Sequence, residues 1–103
     1  ERLVYASEGQ PMPPALAALL QEPAVVLLHS GEAARHFAWQ CDRVGIDRRR
    51  ISLAAIGPRV AAAAGDGWRT VAWAALPADA ALLALAGEMC QIAASSQEQQ
   101  DRA

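Results

Sequence analysis

Apolar residues along this chain cluster in two ways, as short unbroken runs and as stripes at helical spacing. Arg2–Ala6 (RLVYA), Ala24–His29 (AVVLLH), Ile51–Ile56 (ISLAAI) and Trp68–Trp73 are runs of strand length. Ala24–His29 is apolar throughout and rich in Val and Leu, which predicts a strand buried on both faces, as in a parallel sheet. The segments between these runs carry apolar residues three and four apart. Leu16, Leu19 and Leu20 mark a helix from Pro13–Pro14 to about Gln21. Gly31–Val44 is predicted as a helix with Ala34, Phe37, Ala38, Cys41 and Val44 inward and Glu32, Arg35, Gln40 and Arg43 in water. Further helices are predicted over roughly Arg59–Gly65 and from Pro77 onward, the latter with Leu82, Leu85 and Met89 on one face.

Boundary residues support these divisions. Pro13 and Pro14 suit a first helical turn, where a missing N–H costs nothing. Gly45 stands where a left-handed cap is expected. Ser7–Pro14, with Gly9, Pro11, Pro13 and Pro14, has turn and linker chemistry. Strands alternating with helices predict an α/β, flavodoxin-like three-layer parallel sheet. The expected division is an N-terminal connector strand and linker over 1–12, a partial α/β domain over 13–94 and a polar tail over 95–103, a frayed helix end or disorder. So few parallel strands leave edges to protect. Because the chain starts at Glu1 rather than Met, it is expected to be a processed or truncated segment, with further strands supplied from upstream.

Composition narrows the function classes. Apolar residues make up 53% of the 103, enough for a packed core, and small aliphatic residues must fill most of it because only one Phe and one Tyr accompany three Trp. A net charge of −2 without a basic block argues against nucleic-acid binding. Cys41 and Cys90 lack CxxC spacing and read as small core residues in a reducing cytoplasm. With two histidines besides, no metal constellation is visible. The longest apolar runs are too short to span a bilayer, and no signal peptide is evident.

In open α/β sheets ligands bind beyond the carboxyl ends of the strands. Two such ends carry candidate chemistry, His29-Ser30-Gly31 and Ile56-Gly57-Pro58-Arg59. Each joins a strand to a helix N-terminus, whose free N–H groups and dipole favour carboxylate or phosphate. Plainer readings stand beside these. Ser30 suits a helix N-cap, Gly57-Pro58 a turn, and His29 a partly buried histidine with a backbone partner. Arg48-Arg49-Arg50 reads as a solvated loop, and Trp39, Trp68 and Trp73 as packing residues. There is no Ser-His-Asp set, P-loop or GxGxxG.

The order of these motifs resembles the second half of the uroporphyrinogen-III synthase family. Val4-Tyr5, VVLLHS ending at Ser30, AARHFA over Ala33–Ala38, ISLAAIGP over Ile51–Pro58, Gly67-Trp68-Arg69 and ALLALA over Ala81–Ala86 follow the family's sequence of features. The His-Ser, Ala-rich style is similar to alphaproteobacterial members, and the likeness runs to about residue 93. Gly31 replaces the Pro that many members have, and Arg59 and Val60 replace threonines. The resemblance implies a cofactor-free, cytoplasmic lyase. It would close hydroxymethylbilane, a linear tetrapyrrole polycarboxylate, into a macrocycle with inversion of the last ring and loss of water. It implies Tyr5 as the candidate acid, with His29, Ser30, Gly31, Gly57, Pro58 and Arg59 around the substrate. It also implies Arg2–Ala6 as a connector strand and a missing N-terminal half without which the segment is inactive. The alternative is a non-catalytic flavodoxin-like ligand-binding or interaction domain. A receiver would want an acidic cluster at the strand ends and a nucleotide module a glycine-rich loop, and neither is present.

Overall fold

The structure is a computed structural model that describes residues 2–6 and 12–101, with side chains described for 3–6 and 12–91. Four strands, β1 (Arg2–Tyr5), β2 (Ala24–Leu28), β3 (Ile51–Ala55) and β4 (Thr70–Trp73), form one sheet in the order β1-β2-β3-β4. All three pairings are parallel, with Val4 opposite Val26, Val26 opposite Leu53 and Leu53 opposite Val71. Between the strands run α1 (Pro14–Leu19), α2 (Gly31–Val44) and α3 (Pro58–Ala63), and α4 (Asp79–Asp101) follows β4. The fold is α/β, a flavodoxin-like three-layer arrangement.

Strand order dictates where the helices go. Each crossover steps to the next strand in the same direction, and right-handed crossovers of that kind put all their helices on one face. Leu16 and Leu20, then Ala34, Phe37, Ala38 and Cys41, then Val60 and Ala64 pack there against Val26, Leu28, Ile51 and Leu53. The opposite face holds Val25, Leu27 and Ala54, covered by Leu82, Leu85, Ala86 and Met89 of α4. Helices on both faces explain why β2 and β3 are buried without alternation, with Ser52 the one polar residue among them. In the flavodoxin order, 2-1-3-4-5, the run 1-3-4-5 also steps one way. The described strands correspond to such a run and contain no reversal of direction.

Several expectations need correction. The segment expected to be a connector is an integral edge strand. Val4 and Ala6 pack on the three-helix core, and the Ala6 N–H continues the ladder to the Leu27 carbonyl at 3.1 Å. Residues 7–11 of the expected linker lie outside the described residues. β4 starts at Thr70, because Trp68 turns inward to fill the core. α4 begins at Asp79 rather than Pro77, and it runs through Asp101, so residues 95–101 are a helix end, one of the two forms expected of the polar tail.

On α2 the buried arc includes Gln40 and excludes Val44. α2 packs against α3 as well as the sheet, which widens the arc, while Val44 lies in the exposed last turn before Gly45, whose φ of 78° closes the helix. Trp39 and Trp73 are more than half exposed, so of the three tryptophans only Trp68 is a core residue. Its ring stacks on Phe37 at 5.7 Å and its Nε1–H donates to the Ala64 carbonyl at 3.1 Å.

Arg48 does not belong to a solvated loop. Its guanidinium lies 4.7 Å over the Trp68 ring, donates to both Asp42 carboxylate oxygens at 3.0 and 2.8 Å, and donates to the Asp66 carbonyl at 2.8 Å. One side chain thus ties the end of α2 to the turn before β4, where Gly65 and Gly67 take the positive φ that this turn requires. Arg50 donates to the Gln21 carbonyl at 2.8 Å. Only Arg49 remains as expected, exposed and paired with Asp47.

Leu53 lies fully buried in the middle of the sheet, and Leu83 is nearly half exposed. Leu53→Ala is therefore expected to cost about 2–5 kcal/mol by denaturant unfolding, and Leu83→Ala about 0.5 kcal/mol or less. Burial pushes the Cys41 thiol up to about 12 from its ordinary 9.0, partly countered by Arg48. A raised folded-state value means that the unfolded chain loses this proton first. The contribution is thus fully present at neutral pH and declines as pH rises from about 9 toward 12. At pH 8 a thiol reagent should label the half-buried Cys90 well before Cys41, and both at similar rates once the chain is unfolded.

Candidate functional site at the carboxyl edge of the sheet

Parallel pairing brings the carboxyl ends of all four strands to one edge. β2 and β3 are locked together there by the Ile56 N–H, which donates to the Leu28 carbonyl at 3.0 Å. All seven residues proposed from the sequence lie along this edge or in the helical turns that leave it. They form two groups. Tyr5 ends β1, and His29-Ser30-Gly31 leads from β2 into α2. Gly57-Pro58-Arg59 leads from β3 into α3.

The first group is the more closely knit. The rings of Tyr5 and His29 stack at 5.5 Å with only 14° between their planes. Pairing of Tyr5 with Leu27 sets this up, because it puts the end of β1 beside the chain that leaves β2. His29 Nε2 lies 3.2 Å from Asp79 Oδ1 in the first turn of α4. Three elements far apart in sequence therefore meet at one imidazole.

Ser30 is the N-cap of α2, and its Oγ accepts from the Ala33 N–H at 3.0 Å. That bond satisfies one of the donors that a helix start leaves unpaired. A Cβ built on Gly31 would lie 3.4 Å from Arg35 Nη1 and 3.7 Å from Ala63, so the Arg35 guanidinium is close to this turn. Gly57 caps α3 with extended backbone, φ −164°, and a Cβ there would meet nothing within 4 Å. The space beside its backbone is open. Arg59 is exposed in the first turn of α3.

Charge at this edge is balanced rather than positive. Arg35 and Arg59 stand against Glu32 and Asp79, which occupy the first turns of α2 and α4 and already meet those helix dipoles. α3 has six residues, so its summed dipole is smaller than that of α2. An anionic ligand here would rely on local N–H groups and arginines rather than on a general field.

Sequence reasoning did not include Asp79. Its position two residues after Pro77 is a signal for a helix start, but nothing local reports that this start lies against His29. Among the described residues no group of three or more His, Cys, Asp or Glu could hold a metal ion. Nor, among them, is any helix long and apolar enough to cross a membrane. No family model, no curated protein and no solved structure matches the chain.

The two loops respond differently to substitution. Ser30→Ala removes the cap and should cost about 1 kcal/mol, within a range of about 0.5–2. Gly57→Ala needs no unusual φ and meets open space, so its thermal midpoint is expected within a degree or two of the parent, by calorimetry.

Proposed function

We propose that this chain is part of a uroporphyrinogen-III synthase, a cofactor-free cytoplasmic lyase acting on hydroxymethylbilane. The observation that carries this reading is the stack of Tyr5 on His29 at the carboxyl edge, beside the start of α2. Tyr5 matches the family's candidate acid, and His29-Ser30 matches its strand-end motif. A phenol can donate its proton as the hydroxymethyl C–O bond breaks, so that water leaves. The adjoining pyrrole supplies electrons to the carbon left behind, and the proton released on closure restores the phenol, so that one water is lost overall. The carboxylates of the substrate suit the N–H groups at Gly31 and Gly57 and the guanidiniums of Arg35 and Arg59. A flexible four-ring chain also has to be held folded before it can close. The family's N-terminal half is the partner that would complete that enclosure, and the segment by itself is expected to be inactive.

A second reading is a non-catalytic ligand-binding or interaction domain. It draws on the half-exposed Tyr5 and on Glu32 and Asp79 beside the helix starts, which oppose a polyanion.

The two readings separate on the isomer formed. With hydroxymethylbilane, the complete protein carrying this chain should yield the macrocycle with the last ring inverted, whereas unaided closure leaves that ring unrearranged. Tyr5→Phe should lower the inverted yield by about 10²-fold or more, the low end of a general acid's contribution. Gly57→Leu should weaken product binding more than Ser30→Ala, because it blocks approach to the backbone. Product with no inverted ring, at any protein concentration, would exclude the synthase.

A further inference from the structure

The Tyr5–His29 stack leaves one degree of freedom open. An imidazole flipped by 180° about its Cβ–Cγ bond stacks on a phenol ring as well as before, but its two nitrogens change places with ring carbons. Stacking alone therefore cannot decide which nitrogen points where. Asp79 can. Its Oδ1 lies 3.2 Å from His29 Nε2, and an ionised carboxylate only accepts. The contact favours the ring flip that turns Nε2 toward Asp79 and a proton on that nitrogen. In that neutral tautomer Nδ1 is the unprotonated nitrogen and is an acceptor.

From this geometry we infer that Asp79 is a positioning residue, which fixes the flip and tautomer of His29 against Tyr5 for ligand binding at the carboxyl edge. Its consequence for ligand binding rests on the proposed tetrapyrrole reading. The Asp79 side chain is 79% exposed and that of His29 37%, so the pair adds little to fold stability and its effect is orientation. A competing role is also visible. Asp79 is the acidic residue in the first turn of α4, where any carboxylate interacts favourably with the helix dipole. The two roles need different things. The dipole asks for a negative charge anywhere in the first turn, and His29 asks for an oxygen at this one position.

Two variants divide these roles. D79A removes both the charge and the acceptor. D79A/A80D restores a charge to the first turn, at the exposed neighbouring position, without restoring the acceptor. Long-range ¹H–¹⁵N spectra read the His29 tautomer, and the upfield shift of its ring protons reads the Tyr5 stack. The parent chain is expected to show the Nε2–H form and a clear upfield shift. Both variants should show mixed tautomers and a reduced shift, while D79A/A80D keeps the parent's thermal midpoint. In the complete protein, titration with the tetrapyrrole product should show affinity at least threefold weaker in both variants. Parent-like His29 spectra in D79A, or full recovery of spectra and affinity in D79A/A80D, would overturn the inference. A parent that does not bind the product, with the spectral changes intact, would remove the tetrapyrrole reading and leave the positioning role standing.

Discussion

The structure depends on one constraint: the central strand pair β2–β3 is parallel and, apart from Ser52, apolar on both faces, so both faces must be covered. Parallel neighbours need a crossover, and three crossovers stepping in one direction deliver all three helices to one side. The other side is left to α4 alone, which lies across all four strands and seals Val25, Leu27 and Ala54 with Leu82 and Ala86. Two exposed apolar side chains follow from this. Leu3 and Tyr5 share the face of α4 through their register with Val25 and Leu27, but they lie on the edge strand, and both remain half exposed.

Polar interactions hold the parts that burial does not reach. Arg48 is the clearest case. Ala38 and Cys41 of α2 and Trp68 ahead of β4 share one core, and the Arg48 guanidinium sits between their two peptide segments. Its flat face covers the Trp68 ring while its N–H groups meet Asp42 and the Asp66 carbonyl. A planar cation with fixed donors suits such a junction, since it caps an aromatic face and satisfies oxygens around its rim.

At the carboxyl edge the same crossover geometry gathers residues with chemical potential. The described strands contain no reversal of order, which is where open sheets usually form a ligand crevice. What it has instead is a cluster of side chains from β1, β2 and α4 around His29, next to a glycine-capped helix start whose backbone is open. The first turns of α2 and α4 carry their own carboxylates, so selectivity here would come from directed donors rather than from net charge.

The sequence by itself determined the element types, their order and the class of fold. Those depend on short-range periodicity, on proline and glycine punctuation and on unbroken apolar runs, all of which act within a few residues. It also located the strand ends where chemistry could sit, because strands that all run parallel must end at one edge. Tertiary structure decided what local pattern does not encode. It made Arg2–Tyr5 part of the sheet, since a four-residue strand pairs with whichever edge is open. It buried Gln40, exposed Trp39, Trp73 and Val44, and turned Arg48 from a loop residue into a junction, because the width of a buried face depends on the neighbours packed against it. It also joined Asp79 to His29 across nearly half the chain: an acid at a helix start looks the same in sequence whatever lies opposite it, and only the path of α4 over the sheet determines that.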